Sequence, residues 1–102
     1  MNDKLFSAIS LCRKAGKLKM GSDVVKEEVL DGSAALVLLT NDLVERSERQ
    51  TRFVCENNRT KVRSLPYSME QLWPITGKKY GILAVCDSGF AKMIEGLLPP
   101  ET

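Results

Sequence analysis

The chain contains no histidine. That removes the commonest general base and the commonest nitrogen ligand for zinc. Cysteine is scarce: Cys12, Cys55 and Cys86 stand far apart, with no Cys-x-x-Cys pair. An odd, scattered set reads as small buried hydrophobes in a reduced compartment, not as a disulfide framework. No apolar run approaches the roughly 20 residues that span a bilayer, and the opening "MNDKLFSAIS" lacks the apolar stretch of a signal peptide. Phosphate-cradling and nucleophile motifs are missing too: there is no GxxxxGK[ST], no GxGxxG and no GxSxG. Glu27 and Glu28 are adjacent on a helical pattern, so their carboxylates point apart. Asp3, Asp23, Asp42 and Asp87 stand at helix starts, where capping explains them. Nothing in the residues supports an enzyme, a metal site or a cofactor. The expectation is a soluble cytoplasmic protein with no membrane contact.

An excess of charge of one sign is also lacking. The net charge of +2 is too small to argue for nucleic acid by itself. Its distribution says more. Residues 1–20 carry five Lys or Arg and one Asp, and residues 21–45 one Lys and six Asp or Glu. Residues 46–63 then carry six Lys or Arg and two Glu, and the remainder is close to neutral. Folding could gather the two basic segments on one face; the alternative is a mixed, solvated surface.

What is present suits one domain over residues 1–102, with 43% hydrophobic residues to build a modest core. "NDKLFSAISLCRKAGK" reads as a helix capped by Asn2 or Asp3, with Leu5, Phe6, Ala8, Ile9 and Cys12 on one face and Gly16 as its stop. "KLKM" is a small strand. A second helix follows Gly21, with Val24, Val25 and Val29 marking its faces, and ends at Gly32. "AALVLLT" and "YGILAVC" are unbroken apolar runs, which predicts strands covered on both sides. Between them, Asn41 and Asp42 are expected to cap a polar helix over 43–57, its inward positions Val44, Ser47, Thr51, Val54 and Cys55. "TKVRSL" alternates as a strand. Ser68 and Gln71 form a capping-box pattern for a short helix, "MEQLWPI", disturbed by Pro74 and ended by Gly77. A terminal helix starts behind Asp87 or Ser88, and "PPET" is a polar tail. Helices alternating with buried strands predict a three-layer α/β/α sandwich around a small mixed four-stranded sheet.

Several residues at these junctions carry possible chemistry. Lys17 and Lys19 straddle Leu18 and share the face of the small strand opposite it, a paired basic contact. Gly21 allows either a close approach of a ligand or a simple turn before a helix. Ser22 and Asp23 read as caps first and ligands second. Lys78 and Lys79 lie in the loop after Gly77, where they suit phosphate; Tyr80 suits stacking on a base or packing in the strand. Arg46, Arg49 and Arg52 interleave with Glu45, Glu48 and Glu56, so surface pairing is the first reading. Trp73 is expected in the core.

With those residues in view, "LCRKAGKLKMGSDVVKEEVLDGSAALVLLTND" resembles the kink-turn-binding ribosomal proteins, the L-seven-Ae/L-thirty-e superfamily. The likeness is closest to its small bacterial members of the YlxQ type. It rests on RKAGKL, then Gly21, then Gly32 eleven residues on, then an apolar strand ending in Asp42. "SMEQLWPITGKK" and the D-x-G-F-A-K of "AVCDSGFAKMI" extend it over nearly the whole chain. The resemblance implies the α/β/α sandwich and an RNA surface made of Lys19 to Glu27 and Gly77 to Leu83. Members that recognise kink-turns carry Asn-Glu two and three residues after the glycine and a lysine six after it. Here those positions are Asp23, Val24 and Glu27, with Lys26 one step off. Val24 cannot accept a hydrogen bond, and Glu27 puts an anion beside phosphate. Each lost base contact is worth about 1–3 kcal/mol of discrimination. The departures argue against kink-turn specificity.

The expected function is therefore non-catalytic RNA binding by a ribosome-associated monomer, through Lys17, Lys19, Gly21, Ser22, Asp23, Lys26, Lys78 and Lys79. Two alternatives stay open. One is a protein-interaction or ribosome assembly factor that kept the fold and lost RNA. The other is a relative of the substrate-binding domain found on some RNA methyltransferases, which would need a catalytic partner.

Overall fold

Asp3 opens the first helix. Its carboxylate accepts from the N–H groups of Leu5 at 3.0 Å and Phe6 at 3.2 Å, two donors that a helix start leaves without partners. The computed structural model describes residues 3–100, so Asn2, the other candidate cap, and the end of the "PPET" tail lie outside the described residues. Helix α1 runs over Lys4–Lys14 and buries Leu5, Ala8, Ile9 and Cys12, the face its spacing predicts. Then follow β1 (Leu18–Met20), α2 (Ser22–Leu30), β2 (Leu36–Leu39), α3 (Glu45–Asn57), β3 (Val62–Ser64), α4 (Trp73–Thr76), β4 (Ile82–Val85) and α5 (Ser88–Leu97).

The strands form one sheet in the order β1-β4-β2-β3. β4 is antiparallel to both its neighbours, whereas β2 and β3 are parallel and joined through α3. The mixed four-stranded α/β/α sandwich expected from the sequence is thus present. Both central strands are buried at every position. Strand side chains alternate between faces. Leu36, Leu38, Leu83 and Val85 pack under α1 and α5, while Val37, Leu39, Ile82 and Ala84 pack under α2 and α3. Burying one large aliphatic side chain contributes about 1.5–3 kcal/mol, so these two small clusters are the main source of stability.

Four local readings need correction. Asn41 and Asp42 do not cap α3, whose N-cap is Val44, 63% exposed and not inward. They tie the loop after β2 to the loop after β3: Asn41 N–H donates to the Tyr67 carbonyl at 2.8 Å, and the Asp42 carboxylate accepts from Met69 N–H at 3.1 Å. The Ser68–Gln71 box does form, with bonds of 2.8 and 3.1 Å, but it closes a turn ahead of α4. Pro74 does not disturb α4; it sits in the first turn, where its missing N–H costs nothing. Trp73 is 48% exposed and not core, because the side chains that α4 buries are Ile75 and Thr76. Asp87 caps α5 as expected, accepting from Phe90 N–H at 2.8 Å.

Candidate nucleic-acid interface

Gly16, at φ +74°, turns the chain out of α1 and into β1. Lys17 N–H donates to the Cys12 carbonyl at 3.0 Å, and the Lys17 carbonyl accepts from Cys86 N–H at 2.8 Å. β1 then pairs with β4 through Leu18↔Val85, Lys19↔Ala84 and Met20↔Leu83. Leu18 is buried, and Lys17 and Lys19 are exposed, as the alternation predicts. The ladder closes at Gly21, whose N–H donates to the Ile82 carbonyl at 3.0 Å.

Gly21 sits at φ +103°, a backbone that side-chain-bearing residues rarely adopt, and it is the N-cap of α2. Neither Ser22 nor Asp23 caps this helix; both lie in its first turn, a correction to the sequence reading. The cap brings no side chain, so the first-turn N–H groups of Ser22, Asp23 and Val24 find no partner within the helix. They carry the positive end of the helix dipole. Asp23 and Glu27 oppose that field from the same exposed surface, and Val24 is 43% exposed.

The second half of the site comes from the other end of the chain. α4 ends at Gly77 in the left-handed conformation, with Gly77 N–H bonded to the Trp73 carbonyl at 2.9 Å. The buried Thr76 hydroxyl donates to the Lys78 carbonyl at 2.6 Å, and Tyr80 N–H reaches the same carbonyl at 3.0 Å. The backbone is thereby pinned while Lys78 and Lys79 stay exposed. Tyr80 packs on the core edge and against Gly21: a Cβ there would lie 3.4 Å from Tyr80 Cε1. This contact sets the Lys78–Lys79 loop beside the start of α2.

Not every expected residue joins this cluster. Lys17 lies at the far end of β1, next to Cys86, roughly 13 Å of strand away from Gly21. Lys26 is exposed one turn into α2 and faces a groove between α2 and α3. The second basic segment is separate. β1 and β3 are opposite edges of the sheet, and α1 and α3 lie on opposite layers, so folding does not bring the two basic segments together. Arg49 pairs with Glu45 at 2.6 Å and Arg52 with Glu48 at 3.0 Å, the surface pairing expected. Lys61 and Arg63 both reach Glu95, at 3.3 and 3.7 Å. Among the described residues, no three His, Cys, Asp or Glu side chains are placed to hold a metal ion, and no helix is long and apolar enough to cross a membrane. One surface feature escaped the sequence reading: Phe53, 66% exposed at the edge of the α2–α3 groove. The signal was there, since Phe53 falls outside the inward set of α3.

No family model matches the chain. The RNA-binding protein YlxQ of Bacillus subtilis (strain 168) is 32% identical over 98 residues, spanning 91% of this chain and 93% of that protein. The chain belongs to the YlxQ family. A second member, the RNA-binding protein YlxQ of Enterococcus faecium, is 23% identical over 99 residues, or 93% of this chain and 91% of its own. Among solved structures, a protein of unknown function from Bacillus halodurans C superposes with a TM-score of 0.86 at 24% identity, covering 94% of this chain and 97% of that one. The Giardia lamblia 15.5kD RNA binding protein gives 0.74 at 15% identity, covering 95% and 90%. At these identities the structural likeness establishes the fold.

Proposed function

We propose that this YlxQ-family chain is a single, non-catalytic RNA-binding domain that acts as a cytoplasmic, ribosome-associated monomer. The contact surface is Lys19, the start of α2 at Gly21, Ser22 and Asp23, and Lys78–Lys79, with Lys17 and Lys26 as outlying cations. The packing of Tyr80 against Gly21 carries this reading, because it joins two segments nearly sixty residues apart into one face. The name of the Bacillus subtilis relative supports the same ligand. On this face the lysines neutralise phosphate, and the free N–H groups of α2 donate to an anion held between them. Val24 presents an isopropyl group where a guanine acceptor is needed, and Glu27 repels the backbone. The preferred RNA is structured, without a marked preference for kink-turns.

Salt titration tests the reading. Log affinity falls linearly with log salt, by about 0.7–0.9 per phosphate neutralised. Lys78→Ala with Lys79→Ala is expected to reduce that slope by roughly 1–2 while the domain stays folded. An unchanged slope in the folded double variant rejects the loop as a contact.

A further inference from the structure

The groove between α2 and α3 has a volume of about 460 Å³, within the range of sites that hold small organic groups. Its floor is apolar, made by Val25, Val29 and Cys55, all buried. Its rim is not. Asp23 and Lys26 face it from α2, and Gln50, Thr51 and Phe53 from α3. Phe53 is the most exposed large hydrophobic side chain among the described residues, on a helix that otherwise shows water mostly polar groups.

A lone aromatic ring set among carboxylate, ammonium, amide and hydroxyl groups is what a nucleobase requires. The ring stacks on the base face, and the polar groups pair with its edges. Arg46 is exposed one turn before Gln50 and two turns before Phe53, on the same helical stripe, where it can meet the adjoining phosphate. A docking helix would instead need a row of exposed apolar side chains along the rim; of the apolar residues lining this groove, Val25, Val29 and Cys55 are buried and Val54 is half-buried, which leaves Phe53 as the exposed one. The groove also continues from the proposed interface, since Ser22 and Asp23 line it and belong to the first turn of α2. We infer that this groove binds one unpaired nucleotide flanking the structured part of the RNA, its base stacked on Phe53. The inference rests on the RNA-binding reading above and names a second contact for it.

Two RNAs separate the claims: a blunt hairpin, and the same hairpin with a short single-stranded extension containing the fluorescent base 2-aminopurine. Wild type is expected to bind the extended RNA more tightly and to quench its fluorescence. Phe53→Ala should lose about five- to a hundredfold on the extended RNA and nothing on the blunt one, and should abolish the quenching. Phe53→Tyr keeps the ring and should retain both. Phe53 is exposed, so the truncation leaves the core intact, and a thermal melt checks this. If wild type binds both RNAs and Phe53→Ala changes neither, the groove is not a nucleotide site and the RNA-binding reading stands. If wild type binds neither, both fall. Self-association that disappears in Phe53→Ala with unchanged RNA affinities assigns the groove to a second copy of the chain and overturns the inference.

Discussion

The Tyr67 hydroxyl donates to the carboxylate of Asp3, 64 positions away in the chain. That bond, with the Phe6 and Leu5 N–H groups behind it, holds the Asp3 carboxyl below its ordinary range against the opposing effect of burial. A depressed carboxyl stabilises above its unfolded value and loses that contribution as pH falls through the folded one. The Tyr67 phenol moves the other way, pushed up first by burial and then by Asp3. Its contribution is complete below about pH 10 and is lost as pH rises beyond that. Tyr67→Phe should therefore flatten both flanks of a stability–pH curve: the alkaline one because the phenol is gone, and the acid one, below about pH 4, because Asp3 keeps less of its depression. At neutral pH it should cost about 1 kcal/mol, because Asp3 keeps its backbone donors. Thermal melts between pH 2 and 11 check this, and an unchanged profile removes the pair from the account.

The start of α2 can be rewritten without touching the core, since Asp23, Val24 and Glu27 are all exposed. Asp23→Asn, Val24→Glu and Glu27→Lys together should raise preference for a kink-turn over a matched duplex by about 2–5 kcal/mol, the sum of two or three contacts. Glu27→Lys alone should help both RNAs alike, because phosphate contacts carry no sequence information. Titration at one fixed salt decides. Tight, selective kink-turn binding by wild type would contradict the reading of Val24 and Glu27.

Gly21→Ala is expected to cost more than an ordinary surface change. The new side chain would be held at φ +103° with its Cβ 3.4 Å from the Tyr80 ring. Strain of this kind costs roughly 1–3 kcal/mol. The predicted loss appears both as a lowered melting temperature and as weaker RNA binding, because Tyr80 positions the Lys78–Lys79 loop. A fully stable variant with wild-type affinity would show that the junction tolerates a side chain.

Thiol labelling gives an independent check of the core. Burial, more than any charge, pushes Cys12 and Cys55 up to about 11. Cys86 is only half-buried, and burial followed by Glu28 raises it against the pull of Lys19. Native protein at pH 8 should react with a thiol reagent slowly and first at Cys86, with Cys12 and Cys55 reacting only on unfolding. Three equivalent fast thiols would contradict the packing.

Much of this architecture was legible in the residues. The runs "LVLL" and "ILAV" announced strands buried on both faces, because unbroken apolar runs this short suit a covered strand better than a buried helix. Asp3 and Asp87 were each readable as one of two cap candidates, beside Asn2 and Ser88, because these polar residues stand just ahead of an apolar helical period. Asp42 looked the same and is not a cap, since two further residues intervene before α3 and its carboxylate finds Met69 instead. Ser22 and Asp23 failed for a related reason: a left-handed Gly21 starts the helix one residue early. In the site, the start of α2 and Lys78–Lys79 were named from the chain, yet their adjacency was not. It depends on the antiparallel pairing of β1 with β4, which no local pattern encodes.

That pairing ties recognition to the completion of the fold. β1 meets only β4 in the sheet, and β4 lies beyond residue 80. The contacts that assemble the face therefore have high sequence separation, and their loop-closure entropy is spent late in folding. A chain lacking its last quarter would still hold Lys19 and the residues of α2, but no loop to set beside them and no partner for β1. Conversely, a ligand bound across this junction bridges the first and last strands of the chain and draws the folding equilibrium toward the native state, by RT ln(1 + [L]/Kd). Protection of the β1 and β4 amides from hydrogen exchange should then rise together on RNA addition, as one cooperative unit.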